Sequence, residues 1–387
     1  MDKNIVTYSR SATVNLSRIC SALCDYCDYP INNLDQNQFE LIIPYSTIKL
    51  CAQAKKAGVK EVIFRAGERP DNFSAVRARL DLWGFSSYIE YVYTVCELVF
   101  LEGLIPAIDI GYISKDEMQI IRRMASAMYV MIDCADERIL QKYSPRKTLE
   151  SRVETIAYAG AGKVPVTTGL LVGMGESEKS RREALEIVKA LHEEYGNIQN
   201  FILRPYVPIS NGKLEIKEEI KKSEMLRIVE LARRVLPADI PLTIPGAGNQ
   251  NIMSFINAGV RDIGAYDITE EKKLNLDYAK ELNLLEKTLK KKGLGLQRRL
   301  PIFSKYIVEN WYSRKLAQVL DRYKTLLKNF ADDADLSEDL DDLLPDDMLA
   351  DIPAEARKQI SRAKKRKAAQ AARRAALRKK ARAKKRR

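Results

Sequence analysis

The sequence predicts an α/β fold in which strands and helices alternate along a TIM-type (β/α) barrel, whole or partly open, with C-terminal helices and a disordered charged tail. Eight short runs rich in β-branched residues are mostly followed by amphipathic stretches, many of which end on a glycine. An open doubly wound sheet is the alternative, because periodicity does not distinguish a closed sheet from an open one. The predicted strands cover residues 12–19, 59–67, 105–111, 128–134, 164–173, 198–207, 240–246 and 261–265.

The predicted domains are a barrel at residues 1–274, a helical extension at 275–330 and a low-complexity tail at 331–387. We expect the extension to form two helices, joined by GLGLQRRLPIF, that cover one end of the barrel. The first part of the tail is acidic, with ten Asp or Glu among the 21 residues from 331 to 351. The tail has too little apolar surface to offset the entropy of ordering it, so we expect it to be disordered.

The net charge of +13 is concentrated in the last part of the tail. Residues 355–387 hold 17 Lys or Arg and one Glu, a net of +16, so the rest of the chain carries −3. The tail is therefore a candidate for binding a polyanion, whereas the barrel is not basic. No apolar run approaches the ~18 residues that span a bilayer, and the first residues lack a secretory signal. These features predict a cytoplasmic protein with reduced thiols and no membrane segment.

Three of the six cysteines, Cys20, Cys24 and Cys27, lie within eight residues just after the first predicted strand. Their spacing is Cys-x3-Cys-x2-Cys, and soft thiolates select iron–sulfur clusters or zinc. A cluster of four irons held by three cysteines keeps one iron free for another ligand, whereas a structural zinc site needs a fourth ligand nearby. The single histidine, His192, is far along the sequence in a predicted helix, which disfavours zinc.

The stretch ICSALCDYCDY, with Tyr26 before the third cysteine, resembles the signature of the radical S-adenosylmethionine (SAM) superfamily. The resemblance implies a [4Fe–4S] cluster on the three cysteines, with SAM chelating the open iron and being cleaved to methionine and a 5′-deoxyadenosyl radical. Gly67 and Glu68 resemble the motif that meets the SAM ammonium group. Residues 169–176 resemble the GxIxGxxE pattern that helps to position the adenine, and its matching residues are Gly169, Gly173 and Glu176.

Across roughly residues 5 to 325 the chain is similar to the CofG-type subunit of deazaflavin (FO) synthase, a lyase. The matching stretches are VTYSRSATVNLSRICSALCDYC, GERPD, VPVTTGLLVGMGESEKSRREALEIVKALHEEYGNIQNFILRP, LPADIPLTIP and QRRLPIF. The resemblance implies that the adduct of tyrosine and 5-amino-6-(D-ribitylamino)uracil, made by a CofH-type partner, is closed to 7,8-didemethyl-8-hydroxy-5-deazariboflavin with loss of ammonia. It also implies an electron donor such as ferredoxin or flavodoxin.

The sequence departs from this family where ligands are expected. Asp109 stands where an Asn is usual, Asp133 where a Glu is usual and Arg204 where a Gln is usual, and residues 261–267 read RDIGAYD in place of a common DDWGGIS pattern. These three side chains are candidates for contacting the substrate or SAM, or for forming a structural ion pair. Tyr266 and Asp267 are candidates for holding substrate or for closing the barrel.

Two alternatives remain open at this stage. One is a diverged radical SAM enzyme acting on another aromatic or ribityl substrate. The other is an RNA-binding or RNA-modifying protein that uses the basic tail. Outside the motifs, we predict that His192 is a solvated helix residue and that the three remaining cysteines are small buried apolar residues, namely Cys51, Cys96 and Cys134.

Overall fold

The computed structural model describes residues 4–30, 41–209, 214–216, 218–274 and 276–329; the predicted tail lies outside these ranges. The strands are β1 (Ile5–Ser17), β2 (Glu61–Ala66), β3 (Ile105–Asp109), β4 (Met128–Tyr129), β5 (Val166–Val172), β6 (Ile198–Pro205), β7 (Leu242–Thr243), β8 (Asp262–Asp267) and β9 (Gly295–Arg298). The helices are α1 (Ser46–Lys56), α2 (Ser74–Leu82), α3 (Tyr88–Leu101), α4 (Lys115–Ile121), α5 (Glu137–Tyr143), α6 (Leu149–Ala161), α7 (Glu178–Tyr195), α8 (Lys222–Val235), α9 (Ile252–Asn257), α10 (Ile268–Leu274), α11 (Tyr278–Lys290), α12 (Ser304–Val308) and α13 (Arg314–Asn329).

Strands β1 to β8 form a closed parallel barrel, in which each strand pairs with the next and β8 pairs with β1. The closing strand β1 aligns Ser11 with Glu61 of β2 on one side and with Asp267 of β8 on the other. The strand order runs continuously from β2 to β8, and β1 joins its two ends, so the sheet is closed and the open doubly wound alternative is wrong. The predicted barrel is confirmed.

Several strands differ in length from the prediction. Strand β1 begins at Ile5, and β4 and β7 are only two residues long. Proline flanks β7 on one side at Pro241 and follows closely on the other at Pro245, and proline cannot donate a hydrogen bond to a sheet. After β4 the chain leaves the sheet and returns to it through one isolated bridge between Asp133 and Leu170.

The C-terminal extension contains a strand that the sequence analysis did not predict. Strand β9 pairs in parallel with residues 5–8 of β1, within the segment expected to be a linker. The next residue, Arg299, donates to the buried Asp262 carboxylate at 2.5 and 3.0 Å. The Gln199 side chain then donates to the Pro301 carbonyl at 3.0 Å. These contacts lie at the amino-terminal ends of β1, β6 and β8, so the extension covers that end of the barrel.

Local capping residues define the starts of the helices that surround the barrel. Ser87, Ser114, Thr148 and Ser177 each accept a hydrogen bond from a backbone N–H in the first helical turn. The apolar faces of these helices bury the outer side chains of the strands, whereas the lumen side of β1 carries buried Thr and Ser. Among the described residues, no helix combines the length and apolarity needed to cross a membrane.

Candidate active site

The three cysteines of the motif lie on one irregular segment that follows β1 at the carboxyl end of the barrel, and each is partly buried. The Cys20 sulfur accepts a hydrogen bond from the backbone N–H of Glu68 at 3.2 Å. The Cys24 sulfur lies 3.0 Å from the Ser144 hydroxyl. The Cys27 backbone N–H donates to the Cys24 carbonyl at 3.1 Å. The segment is therefore held by the ends of β2 and α5, at the end of the barrel where enzymes of this fold carry their sites.

Gly67 allows this segment to approach β2 closely. A Cβ atom at Gly67 would lie 2.1 Å from the Ile19 carbonyl oxygen and 2.6 Å from the Cys20 Cβ. The first distance involves backbone, which cannot move aside as a flexible side chain could. Gly67 is thus required for packing between the cysteine segment and the end of β2.

The three thiols fit a metal cluster, in which the metal ions provide positive charge and each cysteine binds a different metal atom. Burial raises the pKa of Cys24, although the Lys147 charge opposes this, and burial raises the pKa of Cys27 to about 11. Metal binding would replace those protons. Within the described ranges, no three His, Cys, Asp or Glu side chains are placed to hold a single metal ion. In a cubane each cysteine binds a different iron, so the thiols need not converge on one point.

Glu68 forms a buried ion pair with Arg152 of α6. The Arg152 Nη2 atom donates to the Glu68 Oε2 atom, and the Arg152 side chain is only 4% exposed. Two other guanidinium nitrogens of Arg152, Nε and Nη1, have no hydrogen-bond partner among the described residues. Because buried donors are rarely left unpaired, Arg152 retains capacity for an additional anionic ligand.

A cavity of about 390 Å³ opens beside this ion pair. Its lining includes Ser21 of the cysteine segment, Glu68 and Arg69 after β2, Tyr112 after β3 and Arg146 before α6. Carboxylate, guanidinium and hydroxyl groups thus border a single space next to Cys20. Such a space suits a small zwitterion, because it offers both signs of charge.

Asp133 is held in a strained backbone conformation beside the cysteines. Its φ of 62° lies in the left-handed region, and the Lys147 ammonium group forms an ion pair with its carboxylate. The Tyr26 hydroxyl lies 3.4 Å from the same carboxylate. Tyr26 itself is buried, and its pKa is raised well above the usual range by burial first and then by the Asp133 charge. Side chains from three separate segments therefore meet at Asp133.

The other two predicted contact residues, Asp109 and Arg204, lie at the ends of β3 and β6. Asp109 accepts a hydrogen bond from Arg65 of β2 at 2.9 Å, and both side chains are about one-third exposed. Arg204 is exposed and forms no ion pair with another described residue. Among the described residues, Asp109 is thus paired with Arg65 and Asp133 with Lys147, and Arg204 joins neither acidic side chain.

The glycine-rich pattern after β5 shapes the loop between β5 and α7. A Cβ at Gly169 would lie 2.0 Å from the Ile202 carbonyl oxygen, and Gly173 has a φ of +93°. The Glu176 carboxylate accepts from the Gly173 and Met174 backbone N–H groups at 2.9 and 2.7 Å. Glu176 therefore fixes its own loop.

The structure corrects one prediction and gives structural partners to two further candidates. His192 is not solvated: its Nδ1 accepts from the buried Ile198 N–H at 3.2 Å, and its Nε2 lies 3.3 Å from Asp239. Helix α7 turns this residue toward β6, and His192 shares the buried stripe of the helix with Ala184, Leu185 and Val188, a pattern that indicates its burial. Tyr266 donates to Glu281 at 3.0 Å, and Asp267 accepts from the Thr269 N–H at 2.7 Å. The three cysteines outside the motif are buried, as predicted.

Four side chains at the site were missed by the sequence analysis: Arg65, Ser144, Lys147 and Arg152. For Arg152 a signal was present, since it shares the buried stripe of α6 with Thr155, Ile156 and Ala159. A charged residue on an apolar stripe requires a buried partner. No comparable pattern marks the others, because their partners come from distant segments.

Comparisons with known proteins agree with this geometry. A family model described as the radical SAM superfamily matches residues 14–188. The 7,8-didemethyl-8-hydroxy-5-deazariboflavin synthase of Methanosarcina mazei is 32% identical over 324 residues, which cover 82% of this chain and 94% of that protein. The protein of the same name from Methanopyrus kandleri is 31% identical over 327 residues, covering 82% of this chain and 97% of its own length.

Among solved structures, methylornithine synthase (PylB) matches with a TM-score of 0.55 and 18% identity, covering 76% of this chain and 84% of that one. At this identity the match supports the fold alone. The two relatives are matched over nearly their entire length and at more than 30% identity, which extends well beyond the cysteine motif. The chain is thus a radical SAM enzyme with a role in deazaflavin biosynthesis, and it belongs to the family of 7,8-didemethyl-8-hydroxy-5-deazariboflavin synthases.

Proposed function

We propose that this enzyme closes the deazaflavin ring of FO. Its substrate would be the adduct of tyrosine and 5-amino-6-(D-ribitylamino)uracil made by a CofH-type partner, and ammonia would be lost. The observation that carries the proposal is the placement of Cys20, Cys24 and Cys27 beside Glu68, in a chain that matches FO synthases over nearly their full length. The tail is not needed for this assignment.

Cys20, Cys24 and Cys27 would hold the [4Fe–4S] cluster that the superfamily implies. When bound, the cluster supplies the electron that cleaves SAM to methionine and a 5′-deoxyadenosyl radical. Gly67 lets the cysteine segment pack against β2, and the Glu68 N–H donates to Cys20. These contacts orient the cysteine segment. Hydrogen bonds to a metal-bound thiolate also tune the properties of the metal centre.

Glu68 and Arg152 would receive the two charged groups of the SAM methionyl end. The Glu68 carboxylate suits the ammonium group, as the family motif implies. An unpartnered nitrogen of Arg152 suits the carboxylate, because a charged N–H donor forms a strong hydrogen bond to a carboxylate oxygen. The cavity next to the pair provides the space.

Asp133 would accept hydrogen bonds from ligand hydroxyls, with Lys147 and Tyr26 fixing its position. A carboxylate can accept from both hydroxyls of a diol, and both SAM and the ribityl substrate carry such groups. Arg65, Asp109 and Arg204 border the mouth of the lumen and would contact the uracil-derived part of the substrate. Helix α7 and the Glu176 loop would form the wall next to the adenine.

The exposed Arg204 favours a second candidate, a related enzyme that acts on another aromatic or ribityl substrate. It replaces a neutral side chain of the family pattern and has no described counterion, so it can recognise an anionic or carbonyl-rich group. This alternative keeps the same cofactors and cysteines. It differs from the first only in the substrate.

The decisive assay is anaerobic reconstitution with iron, sulfide, SAM and a reductant, followed by addition of a CofH-type partner, tyrosine and the ribitylaminouracil. We expect 5′-deoxyadenosine and a fluorescent deazaflavin. Formation of 5′-deoxyadenosine without deazaflavin, while a known FO synthase converts the same mixture, would favour the second candidate. Absence of an iron–sulfur cluster would contradict both.

A further inference from the structure

The connection between α5 and α6 forms a second support for the cysteine segment. The Asp25 N–H donates to the Tyr143 carbonyl at 2.8 Å, and Ser144, the next residue, places its hydroxyl 3.0 Å from the Cys24 sulfur. Cys24 and Ser144 are 120 positions apart in sequence. Neither the cysteine motif nor the family resemblance assigns a role to Ser144.

Ser144 is rigidly placed. It is fully buried at the end of α5, where its N–H donates to the Leu140 carbonyl at 2.8 Å and its carbonyl accepts from the Lys147 N–H at 3.0 Å. These two backbone bonds fix the Cα position on both sides. The fixed Cα and the full burial of the side chain keep the hydroxyl near the Cys24 sulfur and near the Tyr26 hydroxyl, to which it is also hydrogen-bonded.

Ligation of a metal by Cys24 determines the direction of this hydrogen bond. A free thiol can donate or accept, but a metal-bound thiolate has no proton and can only accept. Ser144 must then donate to the sulfur. A donor stabilises the reduced cluster more than the oxidised one, because the reduced cluster carries one more negative charge.

We propose that Ser144 is a positioning residue of the iron–sulfur centre: its hydroxyl donates to the Cys24 thiolate and raises the reduction potential of the cluster. This inference rests on the proposed cluster site. It adds a residue that neither contacts the substrate nor binds iron. The predicted consequence is that less reducing power is required from the electron donor.

The test compares reconstituted full-length protein with three variants: Ser144→Ala, Ser144→Thr and Ser126→Ala. Ser126 is the matched control, since it is equally buried but its hydroxyl donates to the Pro106 carbonyl at 2.7 Å, in the barrel wall. Iron and sulfide content are measured first. The midpoint potential of the cluster is then determined by redox titration followed by electron paramagnetic resonance.

We expect Ser144→Ala to lower the equilibrium constant for reduction of the cluster by on the order of tenfold. For a one-electron couple this is a shift of the midpoint potential by ~59 mV to a lower value. Ser144→Thr keeps a hydroxyl, so its potential should lie close to that of the unsubstituted protein. Ser126→Ala should leave the potential unchanged. An unchanged potential in Ser144→Ala, or an equal shift in Ser126→Ala, would overturn the inference. If Ser144→Ala does not hold iron, Ser144→Gly, which also lacks the hydroxyl, must show a lower potential than the unsubstituted protein, and an unchanged value there overturns the inference as well.

Failure of the proposed function gives a different result. If the unsubstituted protein does not bind four irons after reconstitution, the cluster assignment is wrong, and the inference about Ser144 fails with it. A cluster that is present in all variants with one common potential leaves the assignment intact and removes only the role of Ser144.

Discussion

Arg152 and Glu68 form an ion pair across 84 positions of sequence, and the guanidinium is almost fully buried. Such a pair is costly to bury, and removing one partner leaves an uncompensated charge. Two nitrogens of Arg152 remain without a described partner. The hydrogen-bonding capacity of the pair is therefore not filled by the described residues.

The first prediction concerns this pair. Glu68→Gln should destabilise the fold by about 3–5 kcal/mol, because Arg152 then loses its counterion. SAM binding should weaken by roughly one to two decades, the equivalent of one charge-assisted hydrogen bond. Calorimetric titration with SAM and thermal melting measure the two effects.

The double variant Glu68→Gln with Arg152→Met separates stability from binding. It should recover much of the lost stability but not the SAM affinity. The exposed pair Lys55 and Glu102 is the control, since Glu102→Gln should change stability by less than about 1 kcal/mol. Unaltered SAM affinity in Glu68→Gln would mean that the pair has only a structural role.

The second prediction concerns the cysteines. Replacing Cys20, Cys24 or Cys27 by Ala should abolish binding of a four-iron cluster and cleavage of SAM, because each thiolate would hold a different iron. The buried Cys51 and Cys96, replaced in the same way, should retain the iron and lose only packing energy. Iron analysis and 5′-deoxyadenosine formation are the measurements. Full SAM cleavage in any variant of the first group contradicts the assignment.

The third prediction tests the packing at Gly67. Gly67→Ala should prevent the cysteine segment from seating against β2, since its Cβ would lie 2.1 Å from a backbone oxygen. We expect a folded barrel with a strongly reduced iron content. Gly295→Ala is the matched control, because its Cβ would approach only Ile5, at 3.9 Å. Equal iron content in the two variants would show that this close approach is not needed for the cluster.

The fourth prediction is a pH dependence of stability at His192. Burial lowers the pKa of this histidine, despite the nearby Asp239, so the unfolded chain binds more protons between the lowered pKa and about 6.5. His192 stabilisation should therefore be present above about pH 6.5 and be lost as the pH falls below it. Protonation of Nδ1 would also remove the bond from the Ile198 N–H.

Glu61 contributes with the opposite sign, because burial raises its pKa to about 7 and its stabilisation is lost as the pH rises toward that value. Comparison with His192→Gln isolates the histidine. The loss of stability between about pH 7.5 and about pH 5.5, measured by urea unfolding, should be larger in the unsubstituted protein than in the variant. Equal losses would show that His192 is not linked to stability in this range.

The fifth prediction concerns substrate recognition by Arg204. Arg204→Gln should change turnover of the CofH-type adduct by more than it changes SAM binding, because Arg204 lies at the end of β6, away from Glu68. The exposed Arg234 of α8 provides the control, and Arg234→Gln should alter neither. Steady-state kinetics with SAM and with the adduct varied separately measure both effects. Unchanged turnover in Arg204→Gln would show that this departure from the family pattern does not affect substrate recognition.

The sequence alone was sufficient to predict the barrel and the cysteine motif. Both depend on local patterns: alternating strand and helix periodicity for the barrel, and the spacing of Cys20, Cys24 and Cys27 within one segment for the motif. The resemblance to FO synthases also rests on contiguous stretches. These features require no knowledge of which distant residues meet.

Only the tertiary structure determined that β1 pairs with both β2 and β8, and that Arg152, Lys147 and Ser144 lie beside Glu68, Asp133 and Cys24. These contacts join residues far apart in sequence, and their geometry follows from strand register and helix rotation. The error at His192 has a different cause: His192 lies on the buried stripe of α7 with Ala184, Leu185 and Val188, so the helical periodicity held a local signal of its burial, and only its partners Ile198 and Asp239 required the tertiary structure. Local patterns specify the elements of a barrel, whereas barrel closure and packing decide which side chains face one another.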